Sequence, residues 1–387
     1  MPRAALLLAC LAAALGGCEP TCPPVPVALP GSAADLPWRA GGSSTIDAAL
    51  DGAAAAALLD TGFSQSALGP GAPAGLDAAA VTVALGAASA GPLPMQISFL
   101  LPPQIGVVIG GEVLYQLPLE LDARARITRV LPQWQAPSGQ GAPMDVWVTG
   151  RCRGGDPSQG PLGPHLMVVA AALDGQPLRM GIDTGADATL IRTSLFESLG
   201  PRARLDGIPA ASGFAGTFSA SATRAISLCV GAASSPGALL MAGAPVDSEL
   251  DRVSRVALRS GAPLDGLLGW TFLREFSASL AERGADGQRS LVLSRYDTQD
   301  HWVRELVGIG VALSADPAGQ KIAAFFSTSP ARDAGLLAGD VITQVNGAPV
   351  GEALPHFPAG TAISLDVLRG AAPLSFSVQV EDLLPDP

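Results

Sequence analysis

Two aspartates stand in the same short context. Leu58-Leu59-Asp60-Thr61-Gly62 and Gly181-Ile182-Asp183-Thr184-Gly185 each carry an apolar run into an Asp-Thr-Gly turn. Ala67-Leu68 follows the first, and Leu190-Ile191 follows the second. One such tripeptide is only an Asp turn at a strand end. Two can form a site. An amide can be hydrolysed without a covalent intermediate if one group activates a water and another protonates the leaving nitrogen. Two carboxylates about 3 Å apart cannot both ionise, so one remains an acid while the other acts as base. Such a pair titrates as a unit. The question is whether Asp60 and Asp183 are positioned to meet.

The surrounding sequence repeats in step with them. Leu50-Asp51-Gly52 precedes Asp60 as Leu173-Asp174-Gly175 precedes Asp183. Leu85-Gly86-Ala87-Ala88-Ser89 matches Val230-Gly231-Ala232-Ala233-Ser234, and the stretch 107–114 matches 266–273. Short segments such as Val81-Thr82-Val83 and Ile105-Gly106-Val107-Val108-Ile109 read as strands, the second fully buried. The expectation is one mainly β fold used twice, over residues 44–135 and 144–298. Gly62 and Gly185 are expected to let the backbone turn beneath each carboxylate. The second copy is longer between its Asp and its mid-unit Gly. The extra piece includes Gly213, Phe214 and Gly216, which suits a mobile β-hairpin. The first copy lacks it.

These units resemble the halves of an aspartic peptidase, nearer the retropepsin type than the larger pepsins. The resemblance rests on the two Asp-Thr-Gly turns and on Val108-Ile109-Gly110 and Leu267-Leu268-Gly269. It implies two retropepsin-like β-barrel halves forming a pseudo-dimer, with each later strand threading behind its aspartate loop. It implies Asp60 and Asp183 as the catalytic pair, supported by Thr61, Gly62, Thr184 and Gly185, the threonines bonding across the axis. Gly213, Phe214 and Gly216 would belong to a flap over a peptide or protein substrate. The implied activity is endopeptidase hydrolysis with no cofactor and no metal. The sequence departs at Phe63 and Ala186, neither of which offers a hydroxyl to its aspartate. A mildly acidic optimum is therefore expected rather than a strongly acidic one. Phe63 either crowds its carboxylate or lines a substrate subsite. Two alternatives are an inactive peptide-binding lipoprotein on the same scaffold, and a decayed first half with two second halves pairing between chains. His165, His301 and His356 lack metal spacing, and no nucleophile elbow or phosphate loop is present. Asp187 reads as a polar outer-loop residue.

Residues 303–383 resemble a PDZ domain, a small β-sandwich with two helices. The match lies in Ser329-Pro330-Ala331, Ala334-Gly335-Leu336, Gly339-Asp340-Val341-Ile342 and Val345-Asn346-Gly347. Gly308, Ile309, Gly310 and Val311 occupy the place of that family's carboxylate-binding loop, which implies capture of a peptide C-terminus. Pro355 and Pro358 disrupt the segment that would form the groove helix.

At the N-terminus, Arg3 and the apolar stretch 4–15 read as a signal peptide over residues 1–17. Leu15-Gly16-Gly17-Cys18 resembles the bacterial lipobox, which implies lipidation of Cys18 and an anchor in a bacterial membrane of the cell envelope, facing the periplasm or exterior. Residues 18–43 then read as a Pro-rich tether. Cys22, Cys152 and Cys229 permit one disulfide, and the sequence does not choose the pair. The net charge of −11 argues against nucleic acid as a partner.

Overall fold

The computed structural model describes residues 25–39, 44–63, 66–98, 101–134, 142–148, 165–212, 216–256, 263–283, 289–296, 306–351 and 354–385. It is mainly β. The first unit contains β1 (Val27–Ala28), β2 (Ala34–Pro37), β3 (Thr45–Leu50), β4 (Ala53–Leu59), β5 (Ala67–Leu68), β6 (Val81–Leu85), β7 (Ala88–Leu93), β8 (Gln96–Ile97), β9 (Val107–Ile109), helix α1 (Gly111–Leu114), β10 (Leu119–Asp122) and β11 (Ile127–Val130). Eight of these strands form one sheet, in the order β1-β7-β6-β3-β4-β9-β5-β8. In β3, Ile46, Ala48 and Leu50 are buried and Asp47 is exposed, the period-2 pattern of a half-buried strand. β9 is buried throughout.

The second unit contains β12 (Ala142–Val148), β13 (His165–Leu173), β14 (Gln176–Ile182), β15 (Thr189–Ile191), α2 (Thr193–Ser198), β16 (Leu205–Ser212), β17 (Gly216–Arg224), β18 (Ser227–Val230), β19 (Ala233–Pro236), β20 (Leu239–Ala242), α3 (Ala244–Val256), β21 (Gly266–Leu268), α4 (Trp270–Leu273), β22 (Phe276–Arg283) and β23 (Arg289–Arg295). The same local chemistry builds the same turns. Asp51 and Gly52 (φ 48° and 85°) join β3 to β4, and Asp174 and Gly175 (φ 51° and 82°) join β13 to β14. Two-residue hairpin turns require φ > 0, which Asp-Gly supplies. The ladders also repeat. β9 runs parallel to β4, pairing Ile109 with Leu59, and antiparallel to β5. β21 runs parallel to β14, pairing Leu268 with Ile182, and antiparallel to β15.

The units share a sheet. Its order through the junction is β12-β23-β22-β10-β11-β2. Across the central pair, Leu119 faces Leu280, Glu120 faces Ser279 and Leu121 faces Ala278. If Gly110 is matched to Gly269, Glu120 corresponds to Ser279, so the pairing maps onto itself when the units are exchanged. One apolar core runs through both units. It includes Ile109, Leu114 and Leu119 from the first and Ile182, Leu268 and Phe272 from the second.

Residues 25–39 correct the tether reading. β1 pairs with β7 and β2 with β11, and Leu36 is buried. Trp38 Nε1 donates to Thr128 Oγ1 at 2.9 Å, and its ring meets Trp270 edge-on at 5.0 Å. Proline favours extended backbone and is tolerated on edge strands, so a Pro-rich composition describes an edge strand as well as a tether. Cys18 and the segment expected to be a signal peptide lie outside the described residues. Among those residues, no helix is long and apolar enough to cross a membrane.

The third unit contains β24 (Val307–Gly308), β25 (Val311–Asp316), β26 (Gly319–Phe325), α5 (Pro330–Asp333), β27 (Val341–Val345), β28 (Ala348–Pro349), β29 (Ala362–Arg369), β30 (Ala372–Gln379) and β31 (Glu381–Asp382). Its main sheet runs β25-β26-β27-β29-β30, with β28 paired to β27, and β24 pairs separately with β31. Ser329 caps α5, accepting from the Arg332 N–H at 3.2 Å. Asn346 and Gly347 (φ 54° and 77°) turn β27 into β28. α5 is the one helix among this unit's described residues, not the two expected. Residues 354–361 are non-helical. Pro355 and Pro358 lack the N–H a helix needs and clash with its preceding turn. Beyond β31, Leu383 and Leu384 leave this unit and bury against the second, among Leu205, Ile208 and Leu250. The buried Arg224 Nε donates to the Leu384 carbonyl at 2.7 Å.

Candidate active site

Asp60 follows the last residue of β4, and Asp183 follows the last residue of β14. The threading strands fix both backbones. Asp60 N–H donates to Ile109 O and Asp183 N–H to Leu268 O, each at 3.0 Å. The two turns lie face to face, joined by their threonines. Thr61 Oγ1 donates to Ile182 O at 2.8 Å, and Thr184 Oγ1 donates to Leu59 O at 2.7 Å. In return, Thr61 N–H donates to Thr184 Oγ1 at 3.1 Å and Thr184 N–H to Thr61 Oγ1 at 3.0 Å. Both side chains are buried. Four hydrogen bonds thus link segments more than a hundred residues apart.

This arrangement sets the carboxyls of Asp60 and Asp183 within hydrogen-bond reach of each other. Gly62 and Phe63 N–H groups donate to Asp60 Oδ1 at 2.9 and 3.0 Å, and Gly185 N–H donates to Asp183 Oδ1 at 2.9 Å. The glycines serve a different purpose from the one the turn suggests. Neither has positive φ. A Cβ on Gly62 would overlap the Asp183 carboxyl, and one on Gly185 would overlap the Asp60 carboxyl. Glycine is required for the close approach, not for the backbone angle.

Both aspartates are half-buried as residues, while burial of their carboxyls is the largest influence on each pKa. Loss of hydration raises the pKa of Asp183 well above the ordinary carboxylate value of 3.8, and the neighbouring Asp60 charge adds to the shift. Burial also raises Asp60, opposed by hydrogen bonds from Asp183 and from backbone N–H groups. Both shifts are upward, so ionising both carboxyls at once is disfavoured and the two titrate as a unit.

Several supports carry no sequence signal of their own. The buried Ser44 hydroxyl lies 3.0 Å from both Leu59 O and Thr184 O. Trp270 Nε1 donates to Thr184 O at 2.6 Å. Each unit also has a matched brace behind its turn. Ser66 N–H donates to Glu112 Oε1 at 2.5 Å, and Gly110 N–H to Ser66 Oγ at 3.1 Å. In the second unit, Thr189 N–H donates to Thr271 Oγ1 at 2.8 Å, and Gly269 N–H to Thr189 Oγ1 at 3.3 Å. Phe63 packs against Leu101, Ile105 and Val108, alongside Leu58. Its ring joins an apolar cluster, and its N–H supports Asp60.

β16 and β17 form an antiparallel hairpin with Ser212 opposite Gly216. Gly213 and Phe214 lie outside the described residues. The first unit has turns rather than a hairpin between β5 and β6, over residues 69–80. On the third unit, Gly308 pairs with Glu381, and Gly310 (φ 73°) packs so tightly on Thr328 and Ser329 that a side chain would clash. Beside this loop is a cavity of about 230 Å³, lined by Ile309, Val311, Leu313, Phe326, Phe357 and Leu383 among others. Cys229 is a free thiol. Cys22 and Cys152 lie outside the described residues. Among those residues, no three His, Cys, Asp or Glu side chains cluster as metal ligands.

Residues 169–272 match the profile of a family described as aspartyl protease. The matched segment runs from β13 to α4 and includes both Asp183-Thr184-Gly185 and Leu267-Leu268-Gly269. The chain matches no curated protein sequence. Among solved structures, it is similar to the crystal structure of a retropepsin-like aspartic protease from Rickettsia conorii, with 12% identity, 43% of this chain and 98% of that chain covered, and a TM-score of 0.21. The family match supports an aspartic protease.

Proposed function

We propose that this chain is an aspartic endopeptidase in which Asp60 and Asp183 share one catalytic water, with units 44–135 and 144–298 acting as the two halves of a retropepsin-like pseudo-dimer. The observation that supports this reading is the reciprocal threonine linkage, which sets the two Asp-Thr-Gly turns face to face with each glycine against the opposite carboxyl. One carboxylate takes a proton from the water as its oxygen bonds to the substrate's carbonyl carbon. The proton shared by the pair passes to the substrate, and cleavage of the C–N bond delivers a proton to the leaving nitrogen. With both carboxyls raised, one of the pair holds the acid proton while the other acts as base. The β16–β17 hairpin covers the substrate, and Gly213, Phe214 and Gly216 are the residues expected to contribute to that cover. The third unit is a PDZ-type module. Its edge strand β25 and the Gly308–Val311 loop receive a peptide C-terminus. Cys18 carries a lipid that anchors the chain to a membrane of the cell envelope.

The test is cleavage of a peptide library by wild type, Asp60→Asn and Asp183→Asn, followed by mass spectrometry. Cleavage by wild type alone is expected. Equal cleavage by all three would sink the mechanism. Binding of peptides without cleavage would favour an inactive peptide-binding protein on this scaffold.

A further inference from the structure

The third unit touches the second at an informative place. β16 is the outer edge of the large sheet and one arm of the proposed substrate-covering hairpin. Its register shifts between Asp206 and Ile208, with Gly207 at φ 80°. Ser327 of the third unit docks at this bulge. Ser327 N–H donates to Asp206 O, and Asp206 N–H donates to Ser327 Oγ, both at 2.9 Å. The Asp206 carboxylate accepts from Ser221 Oγ on β17 at 2.5 Å, so one residue ties both hairpin arms to the third unit.

The same joint forms a wall of the groove beside the Gly308–Val311 loop. Phe326, next to Ser327, lines the cavity, and its N–H donates to Gly310 O at 3.0 Å. Leu306 and Leu383 also line it. All three residues belong to or pack on the apolar cluster of the second unit, which contains Leu205, Ile208 and Ala220 of the hairpin arms. A side chain entering this cavity would therefore pack against residues seated on the base of the hairpin. The cavity, at about 230 Å³, is below the ~300 Å³ lower end of small-molecule pockets and suits an amino-acid side chain.

We propose that the third unit is an allosteric activator of the peptidase. A peptide with a free carboxylate and an apolar last residue, bound at Gly308–Val311, steadies the Phe326–Ser327–Asp206 joint and with it the base of the β16–β17 hairpin. A hairpin already ordered at its base loses less entropy on engaging substrate, so occupancy of the groove lowers KM and leaves kcat little changed. The coupling is reciprocal, so an active-site inhibitor strengthens peptide binding by the same factor. This inference rests on the reading of the groove as a peptide site.

The experiment uses the whole chain and acetylated hexapeptides ending in valine, leucine or phenylalanine, each as free acid and as C-terminal amide. Binding is measured by fluorescence polarisation on Asp183→Asn, so that the probe is not consumed. Cleavage kinetics are measured on wild type, and amide hydrogen exchange along β16 on both proteins. The expected result is that a free acid binds, its amide does not, KM falls roughly 5-fold or more, and exchange along β16 slows. Ser327→Ala should still bind the peptide while losing most of the KM shift. A peptide that binds without changing KM or β16 exchange would overturn the coupling and leave the groove reading standing. If no free acid binds, the groove reading fails and the coupling fails with it. If wild type cleaves nothing, β16 exchange alone decides.

Discussion

The threonine linkage makes an asymmetric prediction. Replacing Thr184 with valine keeps the shape and removes two hydrogen bonds. The Thr61 N–H loses its acceptor, and the Leu59 carbonyl loses its 2.7 Å donor. Leu59 O keeps the Ser44 hydroxyl at 3.0 Å, so one buried group is orphaned. An unsatisfied buried donor costs about 1–3 kcal/mol. Replacing Thr61 with valine orphans the Thr184 N–H and removes the 2.8 Å donor from Ile182 O. The Ser44 hydroxyl lies within reach of the Leu59 and Thr184 carbonyls and has no counterpart at Ile182. Two orphans predict about 2–6 kcal/mol, so Thr61→Val should be the costlier change by roughly 1–3 kcal/mol. Ser44→Ala alone should cost little, since Thr184 O retains Trp270 Nε1 and Leu59 O retains Thr184 Oγ1. Combined with Thr184→Val, it strips Leu59 O of both side-chain donors, and the pair should cost about 1–3 kcal/mol more than the sum of the singles. Urea denaturation of the four variants and wild type measures this. Equal costs for the two threonines, together with additivity at Ser44 and Thr184 within about 0.5 kcal/mol, would refute the reasoning.

Other expectations follow from the same geometry. Gly62→Ala or Gly185→Ala places a methyl where the opposite carboxyl stands, and a displacement near 1 Å should cost roughly 10²-fold in kcat/KM while circular dichroism stays native. Wild-type kinetics in either variant would contradict this. Because Asp183 has a folded pKa raised above 3.8, the stability it contributes is complete below 3.8 and is lost as pH rises through the folded pKa. Asp183→Asn should therefore gain in Tm relative to wild type between pH 3 and pH 7, and a difference that does not vary with pH would contradict the shift. The raised pair also sets the pH–rate maximum above 3.8, and a maximum near pH 2 would contradict it. Leu384→Ala empties a fully buried site between the second and third units and should cost about 2–5 kcal/mol, read by thermal unfolding; no change would mean the tail is not held there.

What the sequence alone determined was local and chemically punctuated. Asn346-Gly347 was readable as a turn, and Asp51-Gly52 and Asp174-Gly175, readable as matched landmarks, prove to be turns of the same kind, because the angles they adopt are closed to most other residues. The repeated Asp-Thr-Gly and the later apolar-apolar-Gly strands were readable because they recur in one order. Other features were not. Ser44 is a serine without a pattern, and the Ser66–Glu112 and Thr189–Thr271 braces join residues 46 and 82 positions apart. Prolines in residues 25–39 suggested a tether, but the tertiary structure makes that segment two edge strands, because extended backbone serves either purpose. Gly62 and Gly185 show the same limit. Their sequence context indicated a turn, whereas the need for glycine comes from a carboxyl on the other unit. The same holds for the aspartates. Their identity is local, but their protonation depends on what faces them, and only the shared β10–β22 pairing and the crossed threonines bring that partner into reach.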